Sequence, residues 1–325
     1  MAKTRTAENT FDGLGEEEQL AIVRRLCGQR GKRLVRKFGA YAIGAGYKKT
    51  AGRVLPTICI GFLVDAKSES PARPVPHEIT TYVRRGGRRI RCQVPTDVEE
   101  IGAGHPQKMQ NLANGIHSSA AANAALSLRG AACCIVAQTD KPANRFLLGC
   151  QHVLALSLLG RQCGGIDSVI RANGSPEVVA RLYEYAELTP SGKPCLDAAI
   201  ALANPAAKIF WDASRIVPQR VEPGVNRPLD CTIFTPRGPR PARFVKEWAN
   251  VRLPYPSCGM VTIAAAYQFV ADTAAGDSGS HLIDRQGTLH GMHFWGDPGQ
   301  QLAFAIPAFM LFQPGLFSIE IALAS

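Results

Sequence analysis

The chain has 325 residues, 46% of them hydrophobic and 19% charged, with a formal net charge of +11 at pH 7. That length exceeds what one hydrophobic core usually serves, so two domains of ordinary globular composition are expected. No uninterrupted apolar run of about 18 residues occurs and the first ten residues lack the apolar core of a secretion signal, which points away from a transmembrane or exported chain and toward a soluble cytoplasmic protein.

In chain order, Glu16 to Cys27 carries Leu20, Ile22, Val23 and Leu26 at helical spacing, with acidic residues at its start that suit the helix dipole. A second helical stretch is expected near Arg33. Ile58 to Val64 has the short, branched, apolar character of a buried strand, Lys67 to Pro76 that of a polar loop, and Arg88 to Val94 alternates like an edge strand. Residues 1–103 are therefore expected to form a small α/β domain, a packing or recognition platform rather than a catalytic unit. Most of the positive charge sits in clusters here: Arg24, Arg25, Arg30, Lys32, Arg33, Arg36 and Lys37, then Lys48 and Lys49, then Arg84, Arg85, Arg88, Arg89 and Arg91. Such charge attracts nucleic acid, acidic membrane or an acidic protein, and the alternative is a solvated basic face, because no nucleic-acid-binding motif accompanies it.

Residues 104–128 are rich in Gly, Asn, Ala and Ser and are expected to be a linker, its His105 and His117 spare. From Gly130 onward short apolar runs alternate with turn-forming clusters, as in an all-β barrel. The first series comprises Ala132 to Val136, Arg145 to Cys150, Val178 to Ala186 and Asp197 to Leu202, with a short helix expected over Val153 to Leu159. Pro205 to Arg227 is the crossing to a second series, Cys231 to Phe234, Ala242 to Glu247, Val261 to Val270, Ser280 to Ile283, Thr288 to Trp295 and Leu302 to Ile306, closed by a helix over Pro307 to Phe312.

Ten cysteines in a chain without an export signal are expected to stay thiols, and Cys59, Cys133, Cys134 and Cys150 lie in apolar runs where cysteine packs as a small hydrophobe. No Cys-x-x-Cys or His-x-x-x-His spacing occurs, so no metal site is expected.

The chemistry concentrates in Gly276-Asp277-Ser278-Gly279-Ser280. A serine hydroxyl becomes a nucleophile only beside a base and with N–H donors aimed at the developing oxyanion. Small neighbours suit that need, Gly276 supplying backbone freedom and Asp277 an internal ion pair; a plain turn is the alternative, since turns are made of these residues. Two further stretches supply context: His152 follows the apolar run Phe146 to Cys150, and Asp197 heads another.

The order His152, Asp197, Ser278, at gaps of 45 and 81 residues, together with Gln151-His152-Val153, Asp197-Ala-Ala-Ile-Ala and the Gly276 to Ser280 motif, resembles the trypsin-like (chymotrypsin-fold) serine peptidases over about the last 200 residues. Val94 to Gly102 and the His152 to Ala155 run resemble a bacterial and plant group of such peptidases, the one that includes the rice protein NARROW LEAF 1. The resemblance implies a mainly β fold, a chymotrypsin-like double β-barrel over 129–325 preceded by the small α/β domain. It implies a serine endopeptidase in which His152 is the base, Asp197 its orienter, Ser278 the nucleophile, and the N–H groups of Gly276 and Ser278 the oxyanion hole. Phe294-Trp295-Gly296 resembles the family strand along which substrate backbone lies, so Trp295 and Gly296 are expected to bind a protein substrate. Asp272, six residues before Ser278, matches the position of an acidic residue at the base of the specificity pocket, which would favour Lys or Arg before the scissile bond; the alternative is an exposed loop aspartate. Val153 stands where secreted members carry a cysteine, so the family disulfide is not expected, and Thr235-Pro-Arg-Gly-Pro-Arg departs from the family's Lys-Ser-Gly-Arg-like turn. No cofactor is implied. A protease-fold binding module and a basic nucleic-acid-binding protein are the rival functions.

Overall fold

The structure is a computed structural model that describes residues 11–67, 73–85, 87–101, 115–122, 127–156, 167–172, 174–205, 217–223, 230–256 and 258–324. The chain divides into two compact units: Met1–Gly102 with Val245–Ala249, and Ala103–Phe244 with Asn250–Ser325.

The first unit packs helix α1 (Glu16–Phe38) on a sheet. Its first turn holds Glu16, Glu17 and Glu18 and its last turn Arg36 and Lys37, as the helix dipole favours. Gly39, left-handed at φ 68°, ends it by donating its N–H to Val35 O. One helix therefore stands where two were expected, because Gly28 and Gly31 fall inside it. At Gly31 a Cβ would come 3.1 Å from Ile43 Cγ2, so the glycine there serves close packing. The sheet strands are β1 (Ala42–Thr50), β2 (Arg53–Val64), β3 (Glu78–Arg85) and β4 (Arg88–Glu100), in the order β3, β4, β2, β1, with the Val245–Ala249 segment beyond β1. Val23, Leu26 and Leu34 of the helix share a buried cluster with Ile43, Ile60, Phe62, Ile79, Val83 and Val94.

Behind that cluster lies a buried charge group. Lys246 is fully buried, its Nζ 2.7 Å from Asp97 Oδ2 and also bonded to Glu99 Oε1. Burial works against its charge, but Glu99 and Asp97 outweigh that and hold the ammonium above its ordinary range.

The second unit contains β5 (Ile116–Ala120), β6 (Ser127–Gly130), β7 (Cys134–Gln138), β8 (Lys141–Gly149), helix α2 (Gln151–Leu154), β9 (Ser168–Ala172), β10 (Val178–Tyr185), β11 (Ala199–Ala203) and β12 (Arg220–Val221). It continues with β13 (Asp230–Thr235), β14 (Gly238–Tyr255), β15 (Gly259–Ala271), β16 (His281–Ile283), β17 (Thr288–Asp297), β18 (Leu302–Pro307), helix α3 (Ala308–Leu311) and β19 (Ile321–Leu323). One sheet has eight strands in the order β19, β7, β8, β11, β10, β9, β5, β6. In the other, β13, β16, β17, β18, β15 and β14 follow one another and β14 pairs back onto β13, closing a ring. The protein is thus mainly β with two sheet systems and a small α/β unit.

Three expectations need correction. The expected linker, 104–128, contains β5 and the start of β6; Ser118, Ser119 and Ala120 are small because they are buried between β6 and β9, and their composition imitates a loop. The helix expected after the histidine instead carries it, since α2 begins at Gln151, while 157–159 lie outside the described residues. Strand β1 was not anticipated at all. His105 and most of the expected crossing over Pro205 to Arg227 also lie outside the described residues. The nine described cysteines are free thiols. No helix among the described residues is long and apolar enough to cross a membrane.

Candidate active site

Pairing of β11 with β8 sets Ala199 opposite Gly149, which brings Asp197 to the end of β8 where the chain turns into α2. There Nδ1–H of His152 meets Asp197 Oδ2 at 2.5 Å, and the His152 backbone N–H donates to Oδ1 at 3.0 Å. The Tyr255 hydroxyl donates to Oδ2 at 2.7 Å. Both His152 and Asp197 are buried. Three hydrogen bonds onto the carboxylate offset the loss of water around it, and they fix the imidazole so that Nε2 is the basic nitrogen. That Nε2 has no hydrogen-bond partner among the described residues. Burial, then the Asp197 charge, pushes the Tyr255 phenol well above its ordinary value, so it stays a donor.

Ser278 lies on a tight loop between Gly276 (φ 92°) and Gly279 (φ 94°). Asp277 N–H donates to Ala274 O at 3.0 Å and Ser280 N–H to Asp277 O at 3.0 Å. The loop is anchored on both sides: Ala131 N–H donates to Ser278 O and Gly279 N–H to His293 O, each at 2.8 Å. The His293 carbonyl also accepts from Cys150 Sγ at 3.3 Å, so one oxygen joins the residue after Ser278 to the residue that leads into α2. The Ser278 hydroxyl donates to Phe294 O at 3.2 Å, not to His152. Neither the Gly276 nor the Ser278 N–H is used in a hydrogen bond among the described residues.

Asp277 is held by Arg237, whose Nη2 lies 2.7 Å from Oδ2, and by the Ala274 N–H at 2.8 Å. Burial raises the Asp277 carboxyl while these two bonds pull it back. Asp272 is placed differently from a pocket carboxylate. Its side chain is 64% exposed and lies 3.9 Å from Arg237 and 3.8 Å from Arg240, the exposed-loop alternative. Two guanidiniums already face it, so it offers a cationic substrate side chain little. Trp295 is fully buried against the edge of Phe304, 5.3 Å between ring centroids, and Gly296 pairs with Ala303 of β18. His117 lies on β5 opposite Arg129 and Arg171, and burial lowers its pKa.

Cys150, His152 and Asp197 bring ligand-type atoms within 4.8 Å of one another. Both Asp197 oxygens already accept hydrogen bonds, and burial, ahead of the Asp197 charge, holds the Cys150 thiol well above its ordinary value.

The motifs alone did not reveal Tyr255, Arg237 or His293. Tyr255 sits in Leu253-Pro254-Tyr255-Pro256, where nothing local distinguishes its hydroxyl, and Arg237 in the turn that departs from the family pattern. His293 precedes the supposed substrate strand. Its Nδ1 faces Phe304 O at 3.1 Å and its Nε2 has no hydrogen-bond partner among the described residues. Burial lowers its pKa from 6.5 to about 3. The unfolded chain then binds more protons than the folded one between those values, so stability is complete above about pH 6.5 and is lost as pH falls toward about 3. Urea unfolding at pH 6.5 and 4.5 is expected to show His293→Gln losing about 2 kcal/mol less than the wild type over that interval. Equal losses would mean that the His293 ring is hydrated.

Neither a family model nor a curated protein sequence matches the chain. Among solved structures it is similar to Thermobifida fusca Protease A (13% identity, 66% of this chain and 98% of that one, TM-score 0.44). It is also similar to the Nocardiopsis protease (12% identity, 65% and 99%, TM-score 0.40) and to the active form of the Rv3671c protease of M. tuberculosis (22% identity, 60% and 76%, TM-score 0.37).

Proposed function

We propose that the second unit is a serine endopeptidase of the chymotrypsin-like kind, hydrolysing peptide bonds of a protein substrate through an acyl-enzyme. The observation that carries this is the buried His152–Asp197 pair, its basic Nε2 unpartnered, tied through one carbonyl to the loop that bears Ser278. In the reaction Ser278 Oγ leaves Phe294 O, gives its proton to His152 Nε2 and bonds to the peptide carbonyl carbon. The N–H groups of Gly276 and Ser278 take the oxyanion, and the imidazolium, stabilised by Asp197, returns the proton to the leaving amine. Water, deprotonated by the same nitrogen, then releases the acyl group. Beyond His293, β17 has no strand partner on its β16 side among the described residues; substrate backbone adding there along Trp295 and Gly296, both buried in the substrate-free protein, requires that edge to be uncovered first. Kinship with the bacterial and plant group that includes NARROW LEAF 1 is part of this proposal and rests on the short matches at Val94 to Gly102 and His152 to Ala155.

A second reading, a binding module on a protease scaffold, is favoured by the Ser278 hydroxyl's bond to Phe294 O in place of His152. Labelling with a fluorophosphonate decides between them. Ser278 is expected to be the single labelled serine, with labelling absent in Ser278→Ala and slowed on the order of 10⁴-fold in Asp197→Asn, where the imidazole loses its orienting charge. An unlabelled wild type, or equal labelling of Ser278→Ala, would establish the binding module instead.

A further inference from the structure

Strands β3 and β4 form a two-stranded ribbon whose faces differ sharply. On one face Ile79, Val83, Cys92 and Val94 are buried in the core of the first unit. The other face presents Tyr82 opposite Arg91 and Arg84 opposite Arg89, all four exposed. The Arg89 guanidinium stacks over the Tyr82 ring, 4.1 Å from its centroid, while the tyrosine remains 48% exposed. None of these three arginines has an ion-pair partner among the described residues, and the acidic residue nearest on this face of β3, Glu78, stands at the strand's far end opposite Pro95. Residues 1–102 contain 19 Lys and Arg against 11 Asp and Glu, so most of the chain's net positive charge belongs to this unit.

We propose that this face binds single-stranded nucleic acid without sequence preference, Arg84, Arg89 and Arg91 contacting phosphates and one base extending the Tyr82–Arg89 stack. Arg89 and Arg91, two residues apart on a strand, are separated by about 6.8 Å, a spacing that successive phosphates of an extended single strand can meet. Stacking fixes the guanidinium plane in advance, so its N–H edge is presented at little further cost in side-chain freedom. The exposed aromatic surface decides among polyanions. An acidic peptide has no π-face to match it, and in a duplex the base faces are already covered by their neighbours, whereas single strands bind by stacking on aromatic and guanidinium planes. This site does not depend on the protease proposal.

The test is fluorescence anisotropy of the full chain with a labelled single strand of about 20 nucleotides, between about 50 and 200 mM salt. Replacing Arg84, Arg89 and Arg91 together by Ala is expected to weaken binding at least tenfold and to make the slope of log K against log salt shallower by about 2, the loss of three phosphate contacts on a single strand. Tyr82→Ala is expected to weaken binding by about 5- to 100-fold while leaving that slope unchanged, which a mere charge patch would not produce. All four residues are exposed, so circular dichroism should match the wild type. Absence of wild-type binding, a triple variant that binds as well as the wild type, or a duplex or polyglutamate that competes as well as the single strand would each overturn the proposal.

Discussion

Gly279→Ala is expected to cost more than about 4 kcal/mol, the largest effect of any glycine-to-alanine change among the described residues. The residue has φ 94°, and a Cβ built there would lie 1.9 Å from Ala131 O. Positive φ alone costs an alanine about 1–2 kcal/mol. The overlap with a carbonyl oxygen adds a displacement of backbone, and that backbone is anchored by Ala131 N–H to Ser278 O. Gly238→Ala separates the two contributions, because Gly238 has φ 105° with nothing within 4 Å of its would-be Cβ. Urea denaturation should show only about 1–2 kcal/mol for Gly238→Ala. Equal losses in the two variants would mean that the Ser278 loop does not dock on Ala131.

Lys246→Met is expected to destabilise the first unit by about 3–5 kcal/mol at pH 7, because it strands the Asp97 and Glu99 carboxylates in the interior without their cation. In that variant two negative charges stay in the interior with neither the lysine nor bulk water beside them, an arrangement that costs far more than a paired charge. Adding Asp97→Asn and Glu99→Gln to Lys246→Met should recover most of the loss, since the two polar side chains left there are then uncharged. A triple variant as unstable as Lys246→Met would show that lost packing of the lysine stem, not stranded charge, is responsible.

Helix α1 was legible because Leu20, Val23 and Leu26 fall on one face, a signal contained within the segment itself. Strand β1 was not. Its sequence, Ala42-Ile-Gly-Ala-Gly-Tyr-Lys-Lys-Thr50, resembles a loop, yet a Cβ at Gly44 would meet Glu247 O at 2.6 Å and one at Gly46 would meet Val245 O at 2.2 Å. Those glycines are required by a neighbour some 200 residues away in sequence, which no local pattern records. The same limit applies at the site. The His152–Asp197 pair could be anticipated because each residue sits beside a recognisable strand, whereas the Tyr255 hydroxyl reaches Asp197 only through the path of β14. Asp272 is a related case. Its distance along the chain from Ser278 left a pocket floor and an exposed loop both open, and only Arg237 and Arg240, on the neighbouring hairpin, show its carboxylate at the surface.

The ion pair between Arg237 and Asp277 also bears on how the Ser278 loop comes into being. A buried carboxylate at the heart of a loop needs a cation, and here the cation is a side chain in the turn between β13 and β14, covalently present from synthesis. The loop can therefore take its shape as soon as that hairpin docks, without any cut in the chain to create a new charged terminus. A terminus freed by a cut elsewhere in the chain would find this carboxylate already paired.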